Sequence, residues 1–212
     1  MFDFFEEHKL NSNLKHEQFQ HQYLHIPVCA SSWGKTIFTA TGFESNSTLN
    51  QDYTTVVFLK DPIDRWLSGL ATWLTYRLPQ HTPLTSVRDN SALLDVLFDT
   101  VRQDDHTEQQ LFFLQNVDVS RAKFFLINDT FNESVSQYFI QNFSIDITNY
   151  PKENQTTLQG GKLIPKQYFR SVLESTPQYL DRVLQFFERD YQFLQKISFE
   201  NPVTGKYQYY DI

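Results

Sequence analysis

Six residues, Thr54-Thr55-Val56-Val57-Phe58-Leu59, constrain the fold of this chain more than any others. They are β-branched or apolar throughout and lack the in-out alternation of a strand with one wet face. They therefore read as a strand buried on both sides. Such strands belong to parallel sheets covered by helices, and the residues that follow agree. Lys60-Asp61 ends the run, Pro62 suits the first position of a helix, and Trp66, Leu70, Trp73 and Leu74 then recur on one helical face. Strand, short loop and helix in succession are the unit of an α/β fold.

The pattern repeats along the chain. Tyr23–Val28 is a short apolar run whose Pro27 places its end at a strand exit. A small-residue loop, Cys29–Gly34, leads into a helix beginning near Lys35. Ala122–Asn128 reads as a second buried strand. Helices are expected over 91–103 and 132–142, with a further element starting at His106. The longest helix lies near the end, where Leu180, Val183, Leu184, Phe187, Tyr191 and Leu194 form a stripe. A polar loop with Gly160-Gly161 is expected over 150–162, and a hairpin turning at Thr204-Gly205. No repeat or linker divides the chain. The expected architecture is one domain over 1–212, a central, mainly parallel sheet flanked by helices. A polar arm or helix over 1–22 precedes it, and 196–212 form a tail or hairpin. In such sheets ligands bind at the carboxyl ends of the strands.

Composition narrows the function classes. With 20 Phe and 11 Tyr among 212 residues, the chain can bury a real core and is neither disordered nor fibrous. A single cysteine, Cys29, excludes an intrachain disulfide framework and a cysteine-rich zinc site. The net charge of −7 argues against a nucleic-acid backbone as partner. No apolar run is long enough to cross a bilayer, and Met1–His8 carries acids where a secretory signal has basic residues. A soluble, cytoplasmic protein is the expectation.

Two loops carry the chemistry. In the first, Pro27-Val28-Cys29-Ala30-Ser31-Ser32-Trp33-Gly34-Lys35-Thr36, a strand runs into small residues, a lysine and a helix. That is the layout of a phosphate cradle, in which backbone N–H groups and a helix N-terminus favour an anion. Gly34-Lys35-Thr36 matches the end of the nucleotide P-loop pattern, but Cys29 stands where its first glycine belongs. In the second, Arg65 and Ser68 are three residues apart at the start of a helix, with Lys60 just before it. A guanidinium, a hydroxyl and an ammonium at a helix N-terminus suit a second phosphate.

Lys60-Asp61-Pro62-x-x-Arg65-x-x-Ser68-Gly69 resembles the R-x-P-x-x-R-x-x-S-x-Y element of sulfotransferases that use 3′-phosphoadenosine 5′-phosphosulfate (PAPS). The upstream loop is similar to that family's P-K-x-x-[CGS]-[ST]-x-x-[KR] loop, with Pro27, Ala30, Ser31, Ser32 and Lys35 matching in order. His106-Thr107-Glu108-Gln109-Gln110 looks like a His-x-x-x-Gln segment of the carbohydrate (membrane-type) branch and its small bacterial and viral relatives. Asn154 and Asp190-Tyr191 match later positions. The resemblance spans about 23–195. It implies a sulfotransferase fold related to the P-loop nucleotide kinases, PAPS as donor, 3′-phosphoadenosine 5′-phosphate as product and a carbohydrate hydroxyl as acceptor. It places Lys60 and Ser68 on the 3′-phosphate with Arg65 in support. Two departures stand out: the family's lysine after the proline is Val28, and its first arginine is Lys60.

Sulfuryl transfer needs a cation at the leaving oxygen, donors around the sulfate and a base for the acceptor proton. Lys35 is assigned to the leaving group and His106 to the base, with Glu108 and Glu44 as alternatives. Backbone N–H groups of Ser31, Ser32 and Trp33, with the Ser32 and Thr36 hydroxyls, would cradle the 5′ end, and Ala30 and Gly34 belong to the same cofactor-binding loop. Trp33 offers a ring to stack on a base or sugar, and no metal is required. Two other readings stay open. One is a kinase using Thr36 and Asp61 for magnesium; the other is a binding module that has lost catalysis with its lysine.

Overall fold

The computed structural model describes residues 13–77, 91–150 and 166–202. Its contacts group into two compact units: Met1–Lys60 with Phe113–Asn154 and Ile197–Gly205, and Asp61–Phe112 with Gln155–Lys196 and Lys206–Ile212.

The first unit holds a five-stranded mixed sheet. Its strands are β1 (Asn13–His16), β2 (His21–Leu24), β3 (Glu44–Asn46), β4 (Thr54–Leu59) and β5 (Ala122–Leu126), in the order β3-β1-β2-β4-β5. Strands β2, β4 and β5 run parallel, with Tyr23 opposite Val56 and Phe58 opposite Phe125. β1 pairs antiparallel with both β2 and β3. As the unbroken apolar run demanded, β4 is buried from Thr55 to Leu59. Helices α1 (Ser31–Ala40) and α5 (Phe131–Phe143) cover the face that carries Tyr23 and Phe58. Phe38 of α1 stacks on Tyr23 at 4.5 Å and meets Phe139 of α5 at 4.9 Å. Beyond β5, the Asn201 side chain bonds both the N–H and the C=O of Leu126, closing that strand's carboxyl end.

The second unit is helical. It contains α2 (Pro62–Arg77), α3 (Ser91–Thr100), most of the short α4 (Gln110–Phe113), α6 (Lys166–Ser175) and α7 (Pro177–Leu194). Trp66, Leu70 and Leu74 of α2 pack with Phe98, Phe169, Val183, Phe187 and Tyr191 in one buried cluster. Trp66 Nε1 donates to Val101 O at 2.7 Å.

The sequence expectations need four corrections. Residues 13–16 form a strand, not part of an arm or helix. The run expected over 23–28 pairs only as His21–Leu24. α1 starts at Ser31, four residues before the expected Lys35, and the element expected from His106 becomes helical only at Gln110. The Gly160-Gly161 loop, Asn154 and the Thr204-Gly205 hairpin lie outside the described residues. Among the described residues, no helix is long and apolar enough to cross a membrane.

Candidate active site

In the first unit, β2 leads through 25–30 into α1. Cys29 N–H closes a tight turn on Ile26 O at 3.2 Å, and the first helical bond runs from Gly34 N–H to Ala30 O at 2.8 Å. The N–H groups of Ser31, Ser32 and Trp33 precede that bond, and no side chain caps the helix. Val28 and Ala30 both adopt left-handed backbone, at φ 67° and 49°. For a β-branched residue this conformation is strained. The loop is thus bent by its backbone, and among the described residues no side chain caps the helix N-terminus that follows, a local geometry that suits an anion.

α1 sorts the predicted residues by face. Trp33, Gly34, Ile37 and Phe38 point into the protein, while Ser32 and Lys35 are exposed and Ser31 and Thr36 half-buried. Lys35 follows Ser32 by three positions and Ser31 by four, so it stands over the first turn, and helical side chains lean towards the N-terminus. The Trp33 ring is not available to stack on a ligand. It is buried against Phe58 and Phe131, at 6.1 and 5.7 Å between ring centroids. Gly34 is a packing glycine, since a Cβ there would lie 2.4 Å from Tyr23 Oη. Lys60 leaves the carboxyl end of β4, next to the parallel β2 that delivers the cradle, and is half-buried.

In the second unit, Arg65 departs most from expectation. It is fully buried and gives Nη2 to Asp105 O at 2.9 Å and Nη1 to Glu108 O. This guanidinium grips the backbone on either side of His106. The Ser68 hydroxyl donates to Asp64 O at 2.9 Å, and a phosphate would have to draw it away. Asp61 caps α2, its Oδ1 accepting from Asp64 N–H at 2.8 Å while Oδ2 accepts from Tyr191 Oη at 3.2 Å. Burial raises the Asp61 pKa above the usual carboxylate value despite these bonds.

His106 Nδ1 lies 3.1 Å from Asp104 Oδ2 and 2.9 Å from Asp105 Oδ1. Burial alone would lower its pKa, but hydrogen bonding to the two carboxylates overcomes this and raises it to about 9. The imidazole is therefore mostly protonated at neutral pH, and acts as a base only as the pH approaches that value. Its backbone carbonyl abuts α2 so closely that a Cβ on Gly69 would lie 2.1 Å from it.

Sequence reasoning missed what holds this segment. Asp190, buried on α7, accepts the N–H of Gln110 at 2.8 Å and of Leu111 at 3.0 Å. Burial raises its pKa in spite of both amides. Asp64 pairs with Lys166 and Arg170, tying α6 to the first turn of α2. The stripe of the last helix already turned Tyr191 inward, but nothing in the sequence told that its neighbour Asp190 is buried as well.

The strand-to-helix loop lies at the carboxyl end of β2, where α/β sheets place their ligand-binding loops. A family model described as the sulfotransferase family matches residues 2–196. The chain belongs to the sulfotransferase family, whose general activity is sulfuryl transfer. No curated protein and no solved structure matches it.

Proposed function

We propose that the protein transfers a sulfuryl group from PAPS to a hydroxyl, that of a carbohydrate, in line with its resemblance to the carbohydrate branch of the family. The observation that carries the reading is the uncapped N-terminus of α1 with Lys35 one turn inside it. The N–H groups of Ser31, Ser32 and Trp33 suit the 5′-phosphosulfate. Lys35 takes the role that the family gives to the residue at Val28 and supplies positive charge as the sulfur–oxygen bond to the phosphate breaks. Lys60 and Ser68 are assigned to the 3′-phosphate on the strength of their sequence element, with the Ser68 hydroxyl redirected from Asp64 O. His106 takes the acceptor proton at Nε2 when neutral, its Nδ1 held by Asp104 and Asp105.

The kinase reading needs Asp61 for magnesium, whereas Asp61 caps α2 and bonds Tyr191. Calorimetry with adenosine 3′,5′-bisphosphate, against ATP with magnesium as competitor, tests the donor. Metal-independent binding of the bisphosphate that is weakened in Lys60→Ala and Ser68→Ala supports PAPS. Preference for ATP with magnesium overturns it.

A further inference from the structure

We propose that Arg65 is a positioning residue for His106 and not a ligand of the nucleotide. The inference rests on the reading of His106 as the group that handles the acceptor proton. Three buried fastenings converge on the segment around it. Arg65 grips the carbonyls of Asp105 and Glu108, one on each side of the histidine. Gly69 lets the His106 carbonyl lie against α2. Asp190 holds the amides of Gln110 and Leu111 at the end of the segment.

A planar fork suits this task, because two donors on one rigid group fix the spacing of two carbonyls. Being fully buried, Arg65 has no surface on which to meet a phosphate. Through the Asp105 carbonyl it also sets where the Asp105 carboxylate stands beside Nδ1, 2.9 Å away. The charges acting on this pair are Asp104 from the same segment and Arg65 from α2, which favours ionised Asp105. Loosening the grip of Arg65 frees the carboxylates from the imidazole and lets its pKa fall towards that of an ordinary histidine.

The test compares Arg65→Lys with wild type in the intact chain. Lysine keeps the charge but offers a single head to two carbonyls. Proton NMR of the His106 ring, assigned by its absence in His106→Gln, is expected to show its midpoint falling by at least one pH unit, with the pH profile of turnover moving alongside. Binding of adenosine 3′,5′-bisphosphate is expected to stay within about threefold of wild type. A tenfold or larger loss of bisphosphate binding with the His106 midpoint unmoved overturns the proposal. Should Arg65→Lys fail to fold, the wild-type protein decides: the Arg65 guanidinium resonance is expected to be protected from exchange and unmoved by bisphosphate, and a shift on adding bisphosphate overturns the proposal. The ring titration needs no nucleotide, so its outcome is independent of whether PAPS is the donor.

Discussion

The loop before α1 and the segment around His106 are both irregular backbone, yet they are built on opposite terms. The first is shaped by its own dihedral angles, with two left-handed residues, no capping side chain and a lysine in the open. The second is fastened at the Asp105 and Glu108 carbonyls by Arg65 and at the Gln110 and Leu111 amides by Asp190, buried partners about 40 to 80 positions away in the chain. The difference follows from the tasks. An anion cradle must keep donors wet and unsatisfied until a ligand arrives, whereas a proton-handling side chain needs satisfied supports that hold its orientation. Two cations that looked alike in the sequence separate on this ground: Lys35 is exposed and available, Arg65 buried and committed.

The largest effect expected of this contrast is at Lys35. Lys35→Ala should lower turnover by about 10²–10³-fold, the usual cost of one donor aimed at developing charge. A loss of less than threefold in the transfer rate would assign leaving-group stabilisation elsewhere.

The two packing glycines come next. Gly69→Ala sets a methyl 2.1 Å from the His106 backbone oxygen and Gly34→Ala one 2.4 Å from Tyr23 Oη. Each should cost about 1–3 kcal/mol and lower the Tm by several degrees. Only Gly69→Ala should also displace the His106 titration, and an NMR midpoint equal in both variants would break the comparison.

The third prediction is a pH dependence. Because the His106 pKa is raised from 6.5 to about 9, turnover should climb with pH until about 9. Asp104→Asn and Asp105→Asn should each move the rise to lower pH. The same shift has a stability sign. The folded state holds this proton more tightly than the unfolded one, so the contribution is complete below pH 6.5 and is lost between 6.5 and about 9. Melting curves of wild type and His106→Gln should therefore draw together as the pH rises through that window.

The smallest effect is at Val28, whose left-handed backbone strains a β-branched side chain. Val28→Gly should relieve about 1 kcal/mol of that strain and raise the Tm slightly. Val28→Lys should relieve part of it and also raise turnover. A fall in Tm for both would show that the loop is held by side-chain packing and not by its own backbone.

The parts of the fold legible in the sequence are those with an internal period or a long apolar run. Thr54–Leu59 and the helix from Pro62 announce themselves, as do the Phe131–Phe143 helix and the stripe of α7. β1 and β3 do not, because Asn-Leu-Lys-His and Glu-Ser-Asn carry no strand pattern and are set by pairing across register. α6 follows a stretch of polar residues and hides its two buried anchors, Phe169 and Leu173, among charges. At the candidate site, the turn from strand to helix before α1 was readable because it is contiguous. The burial of Arg65 was not legible because its partners, Asp105 and Glu108, stand far off in sequence, and an arginine bound to carbonyls looks the same there as one awaiting a phosphate. The burial of the Trp33 ring was hidden for a similar reason, since it is decided by Phe58 and Phe131.

Hydrogen–deuterium exchange with and without adenosine 3′,5′-bisphosphate tests the central contrast most directly. Amides 31–33 are expected to exchange quickly in the free protein and slow markedly with ligand, while amides 107–111 are slow in both states. Protection that is absent at 31–33 with ligand, or a 107–111 segment that exchanges quickly until ligand arrives, would contradict it.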